Sequence, residues 1–317
     1  MSRFVSPLFA PFAPFAPFAL IAALSLFFIS CSGDSSSASG NVEKSSVLLA
    51  SSYPLADWAS ALLAGTEVEL RSPALAGDGD LRDSAPNPED LLIADLIILN
   101  GAGFENWLDR VSLPEDQVLR TANVFAKDWK TFETVHEGHD DEVHAHPEGH
   151  DHDHGHVHTG TDPHTWLDPL QAKQQALAIA EALIKLYPEH AETIQANQPA
   201  LLAKFDDLQA SLAGIKPVHF LTSHPAYEYL ARRHSWKTTA LDISPDAALA
   251  PAELEAVAAA KAEMMLWEGE PCEAIQAQLT KLTLPFVVFS PVERKPESGD
   301  YFTAMQENID RLKAALK

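Results

Sequence analysis

Short apolar runs that close on small or polar residues recur along this chain, and between them lie stretches whose apolar side chains have helical spacing. "SVLLAS" (46–51), the neighbourhood of Val68 to Leu70 and "LIILNG" (96–101) form one series, with "YPLADWASALLAG" and "PNPEDLLIAD" between them. "VHFLTSH", "TTALDIS", "EMMLWEGE" and "FVVFSP" form a second, separated by helices that start near Pro225, Pro251 and Pro271. Proline suits a first helical turn, where its missing N–H is an orphan anyway. Strand and helix in alternation is the pattern of βα units around a parallel sheet. The spacing therefore predicts an α/β protein in which this pattern occurs twice.

Between the two series Leu170 to Ala213 carries Ala, Leu, Gln and Lys at helical spacing, interrupted at Pro188. A helix of about two dozen residues from Glu189 spans about 36 Å, enough to bridge two domains. A single core helix inside one domain is the other reading. The chain's 317 residues suffice for two domains, with one large α/β domain as the rival. The organisation expected is a first α/β lobe over 46–188, a connecting helix over 189–213 and a second α/β lobe over 214–317.

The first 30 residues read as a targeting segment. Arg3 is the only charge before residue 31, and "LIAALSLFFIS" supplies an apolar run of signal-peptide length that ends at Cys31. Phe-Ile-Ser-Cys resembles a bacterial lipoprotein signal, in which Cys31 would carry the lipid. A plain secretory signal or membrane anchor is the alternative, but the prolines of "APFAPFAPFA" break the run, and the apolar stretch beyond them is short of a spanning helix. "SGDSSSASGN", within the segment 31–45, has the composition of a flexible tether. Cys272 is the one cysteine left, which excludes a disulfide framework.

A 46% hydrophobic and 21% charged composition is that of a soluble globular protein. The formal net charge of -23 repels nucleic-acid phosphates and anionic membrane surfaces and mildly favours cations, although it also serves solubility.

Nine of the 14 histidines, His136, His139, His144, His146, His150, His152, His154, His156 and His158, crowd into a segment rich in Gly, Asp and Glu. Such a segment buries no core and is expected to be a mobile insertion in the first lobe. Neutral imidazole binds zinc, copper and nickel, and extended His-x-His places both rings on one side of the chain. The segment thus suits loose metal capture in many geometries rather than a defined site. "HEGHD" lacks the His-to-His spacing of the zinc proteases, and there is no nucleophile elbow, phosphate-cradling glycine loop or dinucleotide fingerprint. Hydrolase is a weak second hypothesis.

In open α/β sheets ligands bind outside the carboxyl ends of the strands. His224, Glu268 and Ser290 follow second-series strands there, and His164 in "TDPHTWLDP" stands where the histidine-rich segment rejoins the fold. Two imidazoles and a carboxylate make a three-ligand zinc site with room for a fourth ligand.

The mature chain is similar to the solute-binding proteins of ABC transporters that import zinc or manganese. The likeness rests on "SSYPLADWASALLAG", "PNPEDLLIADLIILNGAGFENWLD", the histidine-rich loop followed by "DPHTWLDP", "LTSHPAYEYLARRH" and "YFTAMQENIDRLKAAL". It implies two lobes of four-stranded parallel sheet joined by a rigid helix, small lobe motions, and a metal held between the lobes. It implies that His164 and His224 are ligands, and that histidine rather than glutamate at 224 favours zinc over manganese. Two ligands it implies are absent, because Arg82 stands where a histidine is due and Ser290 where an aspartate is due. The completing ligand is then expected to be Glu268, with Asp80, Asp83 or a loop histidine. The alternative is an altered primary site with the loop doing most of the binding.

The function this implies is capture of Zn2+, or another divalent transition metal, and delivery to an ABC permease with its ATPase. The protein would be an extracytoplasmic monomer held to the membrane by lipid on Cys31, without enzymatic activity or a nucleic-acid partner. A periplasmic zinc buffer or metallochaperone is the rival. Because imidazoles bind metal in the neutral form, affinity is expected to fall below about pH 6.5.

Overall fold

The structure is a computed structural model, and it describes residues 46–75, 81–136 and 156–317. The targeting segment, the tether, Asp80 and six of the loop histidines (His139, His144, His146, His150, His152 and His154) lie outside the described residues. The elements run β1 (Val47–Ala50), α1 (Tyr53–Leu62), β2 (Glu69–Arg71), α2 (Pro88–Ile93), β3 (Leu96–Leu99) and β4 (Val118–Arg120). A hairpin of β5 (Thr131–His136) and β6 (His156–Thr161) comes next, then the long helices α3 (Pro169–Leu186) and α4 (Ala191–Leu212). The second half comprises β7 (His219–Thr222), α5 (Glu228–His234), β8 (Lys237–Ala240), α6 (Pro251–Ala260), β9 (Met264–Trp267), α7 (Glu273–Lys281), β10 (Phe286–Val288) and α8 (Tyr301–Ala315).

Two four-stranded sheets result, in the orders β2-β1-β3-β4 and β10-β9-β7-β8, with every pairing parallel. This is the α/β architecture the alternation predicts. Strands β1, β3 and β9 are buried along their whole length, which is why they read as unbroken apolar runs. Prolines and short polar residues set the helix starts. The Asp168 carboxylate accepts from Leu170 N–H ahead of α3, Asn87 accepts from Glu89 N–H ahead of α2, and Asp300 accepts from Thr303 N–H ahead of α8. Helix α5 begins at Glu228 and α7 at Glu273, later than Pro225 and Pro271, because each proline lies in the loop that leaves its strand.

The helical tract does break at Pro188, and the 22-residue α4 spans about 33 Å. Its buried residues Ile194, Leu201, Phe205, Leu208 and Leu212 fall on one face. Helices α1 and α8 both pack on it. Asn197, on α4, donates to the carbonyls of Leu62 and Ala64 and so satisfies orphan acceptors at the end of α1. Trp58 of α1 meets Phe205 and Tyr301 edge-on, each at 5.2 Å between ring centroids. One apolar cluster therefore runs from Leu48, Leu96 and Ile98 in the first sheet to Phe220, Met264 and Leu266 in the second.

Phe205→Ala should lower the free energy of unfolding by about 3–5 kcal/mol, read by urea titration. Because one core serves both sheets, far-UV circular dichroism and tryptophan fluorescence of the wild type should share one denaturant midpoint. Two separated transitions would contradict the continuous core.

Candidate metal centre

The site forms where the carboxyl ends of β7, β9 and β10 meet the turn that carries His164. His224 follows β7, Glu268 follows β9 and Ser290 follows β10. Bonds between the strand exits keep these ends in register: Ser223 N–H donates to Leu266 C=O at 3.0 Å and Phe289 N–H to Trp267 C=O at 2.8 Å.

His164 has no exposed surface, and neither does Asp162. One oxygen of Asp162 lies 2.9 Å from His164 Nδ1 and also accepts from His164 N–H at 2.9 Å. The other accepts from Glu228 N–H at 3.1 Å, at the start of α5. With Nδ1–H donating to this carboxylate, Nε2 is aimed forward, the arrangement usual behind a metal-bound histidine. Nε2 meets Glu293 Oε1 at 2.8 Å. The ring of His224 stands edge-on to that of His164, with centroids 5.2 Å apart.

Glu293 lies outside the ligands expected from sequence. It reaches the site because residues 290–295 turn sharply. Ser290 Oγ accepts from Val292 N–H at 3.2 Å, and the Asn308 amide brackets Ser290 N–H and C=O at 3.0 and 2.8 Å. Val292 sits at φ 58, a conformation a β-branched residue adopts only under constraint. The constraint comes from the first half: Trp166 Nε1 donates to Pro291 C=O at 2.7 Å, Tyr53 N–H to Glu293 C=O at 3.0 Å and Lys295 N–H to Ala74 C=O at 3.2 Å. Its one signal in the sequence is a carboxylate three residues past Ser290 in "SPVER".

Ser290 shapes that turn. Glu268 is half-buried and close enough for its charge to act on His164 and Glu293, but it stands outside the hydrogen-bonded pair those two form. Asp83 is exposed and accepts from Asn106 Nδ2 at 3.1 Å. Arg82 directs its positive charge at both His224 and Glu293. His136, His156 and His158 belong to the hairpin strands, with His136 paired to His156 in the ladder and His158 to Thr134. Among the described residues no three His, Cys, Asp or Glu side chains are already converged as a metal-ligand group. His164 and Glu293 close on each other instead. A recess of about 500 Å³ beside Glu293, bordered by Glu268 and Ser290, opens this end of the pair to solvent.

Burial works against charge on His164, but its hydrogen bonds to Asp162 and Glu293 outweigh that and push its pKa up to about 9. His224 moves the other way. Burial first, then the charge on His164, depress it to about 4. Burial would raise Glu293, but the hydrogen bond from His164 and the surrounding positive charge hold it below the usual carboxylate range. Glu268 is raised, by burial and then by the negative charge on Glu293. Near neutral pH the pair is an imidazolium against a carboxylate, with His224 neutral beside it.

The family described as ZnuA, zinc-uptake complex component A, periplasmic, matches residues 48–315. The chain belongs to this family. It is 27% identical over 309 residues to the zinc-binding lipoprotein AdcA of Streptococcus pneumoniae R6, covering 91% of this chain and 58% of that protein. The chain thus spans little more than half the length of that relative. It is 25% identical over 316 residues to the high-affinity zinc uptake system protein ZnuA of Bacillus subtilis 168, covering 93% of this chain and 96% of that protein. Among solved structures, the Zn(II)-bound ZnuA-like domain of S. pneumoniae AdcA aligns with TM-score 0.65 at 21% identity, over 86% of this chain and 99% of that one. The Pseudomonas aeruginosa protein FpvC with Ni2+ aligns with TM-score 0.63 at 20% identity, over 86% of this chain and 97% of that one. At such identities the family likeness in structure establishes the two-sheet fold.

In metal-free protein, His164 should titrate near pH 9 and His224 near pH 4, read from their ring 15N shifts. Asp162→Asn should lower the His164 value, since it removes the carboxylate that favours the charged ring. An unchanged titration would refute the pairing.

Proposed function

We propose that the chain is an extracytoplasmic zinc receptor that surrenders its ion to an ABC importer, with lipid on Cys31 holding it near the permease and its ATPase. The observation that carries this reading is the meeting of His164 Nε2, backed by buried Asp162, with Glu293 and His224 from the second half. Family membership supports it, as do relatives named for zinc binding and uptake. Among the described residues no helix is long and apolar enough to cross a membrane.

Zinc is cargo here, and no substrate is transformed. The ligand set is His164, His224 and Glu293, with Glu268 as a second carboxylate within reach. Zinc bonds nitrogen and carboxylate oxygen at about 2.0–2.2 Å in tetrahedral geometry, which calls for about 3.4 Å between Nε2 and the oxygen. The two atoms stand 2.8 Å apart, so the pair has to part by roughly 0.6 Å to admit the ion. Two imidazoles on one tetrahedral zinc lie with centroids about 5 Å apart, and His164 and His224 already stand at 5.2 Å. Arg82 weakens the site, since a guanidinium is permanently charged and cannot coordinate a cation. The histidine-rich segment is a collector that raises the local ion concentration.

The proton on His164 must leave as zinc enters. The sign follows from the raised pKa: below about 9 the proton competes, so affinity rises with pH through neutrality instead of levelling off near the ordinary histidine value of about 6.5. His224 and Glu293 carry no proton at pH 7 and release none.

Competition titration against a chelator should find one tight zinc that survives deletion of residues 137–155 and weakens at least a hundredfold in His164→Ala and in Glu293→Ala. Calorimetry at pH 7 in buffers of differing ionisation enthalpy should show about one proton released per zinc bound at this site, as neutralisation of a protonated ligand requires. Loss of all tight binding on loop deletion would establish the buffer or metallochaperone reading instead.

A further inference from the structure

We infer that Asn100 is a positioning residue of the metal centre: its buried side chain holds the backbone on both flanks of His164 and so fixes where the imidazole points. The inference rests on His164 being a ligand.

Asn100 follows β3 and has no exposed surface. An asparagine side chain offers two N–H donors and two acceptor lone pairs, and all four are used. Nδ2 donates to Gly101 C=O at 2.9 Å and to Pro163 C=O at 2.8 Å. Oδ1 lies 2.9 Å from the Thr165 hydroxyl and accepts from Gln175 Nε2 at 2.8 Å. The residues immediately before and after His164 are thus both tied to one amide. The amide is itself braced. Glu105 accepts from Asn100 N–H at 2.7 Å and Gly101 N–H at 3.0 Å. Gln175, on α3, donates also to Thr121 Oγ1 at 2.8 Å, and Thr121 in turn donates to Leu99 C=O at 3.0 Å.

An apolar side chain of the same volume would fill this space but would leave the buried Gly101 and Pro163 carbonyls without their amide donor. What an apolar residue could not do is hold a proline carbonyl and a threonine hydroxyl two residues apart. His164 between them has φ -81 and ψ 49, outside the helical and strand basins; the bond of 2.8 Å from Thr165 N–H to Pro163 C=O closes a short turn around it, and Asn100 anchors that turn to the end of β3. Asp162 orients the ring from its Nδ1 edge, and Asn100 fixes the backbone the ring hangs from. Aim matters because a ligand displaced by a few tenths of an ångström loses metal affinity, as residues behind the ligands of metal sites generally show.

The test compares Thr165→Val, which removes at constant shape the hydroxyl that meets Asn100 Oδ1 at 2.9 Å and Gln175 Oε1 at 3.1 Å, with Thr165→Ser, which restores it. Thr121→Val is the control, since Thr121 belongs to the same buried network but touches neither flank of His164. Asn100→Leu is the more severe variant. Thr165→Val and Asn100→Leu should bind zinc at least tenfold more weakly and shift the visible spectrum of bound Co2+, with Thr165→Ser returning to wild type. Thr121→Val should lose stability yet keep both affinity and spectrum. If Thr165→Val loses no more affinity than Thr121→Val, or if Thr165→Ser gives no rescue, Asn100 has no positioning role. In metal-free protein the His164 ring 15N shifts should move in Thr165→Val and not in Thr121→Val. That readout decides the matter even if His164→Ala binds zinc like wild type, the result that would instead overturn His164 as a ligand.

Discussion

Asp162 is a carboxylate without access to water, and the arrangement of the site follows from the need to satisfy it. Burying an unpaired carboxylate is too costly to tolerate. Its partners are His164 N–H, His164 Nδ1 and Glu228 N–H. The first two set the tautomer and aim of the imidazole. The third ties the same oxygen pair to α5, which follows the His224 loop. Tyr229 adds a hydroxyl bond to Asp162 C=O at 2.8 Å, and Lys130 N–H, at the foot of the hairpin, donates to that hydroxyl at 3.2 Å. The aim of the His164 ring and one of the links between the two halves therefore rest on the same residue.

The two halves are also sewn together elsewhere. Asp168, equally buried, caps α3 and takes Arg233 Nε at 2.6 and 2.7 Å. Tyr301 donates to Trp166 C=O at 2.5 Å. With a core continuous across both sheets, wide hinge opening would break buried polar bonds and apolar contacts together. Motions of a few tenths of an ångström cost far less. The His164–Glu293 pair is closed by a direct hydrogen bond of 2.8 Å.

What can be read in the sequence is what lies on a regular element or directly at its end. Strands β1, β3 and β9 are visible because central parallel strands bury both faces. Strand β4 is not, since three half-exposed residues at a sheet edge carry no periodic signal. The hairpin strands merge into the histidine-rich segment, because "TFETVH" and "HVHTGT" hold too few apolar residues. Motif and topology single out His164 and His224, whose rings the structure brings together. Glu293 escapes because the reversal at Val292 carries it away from the strand end where a ligand is expected. Asn100 shows no signal at all, as one polar residue after a strand is ordinary in sequence and gains meaning only from partners more than sixty residues away.

The placement of α8 bears on how the chain reaches its native state. Trp58, near the beginning of the described chain, is covered by Tyr301, near its end. Contacts between such distant segments form late, because the intervening loop must close before they give any return. Helix α8 therefore supplies part of the cover of Trp58, and a chain cut before residue 301 would leave one face of that ring bare.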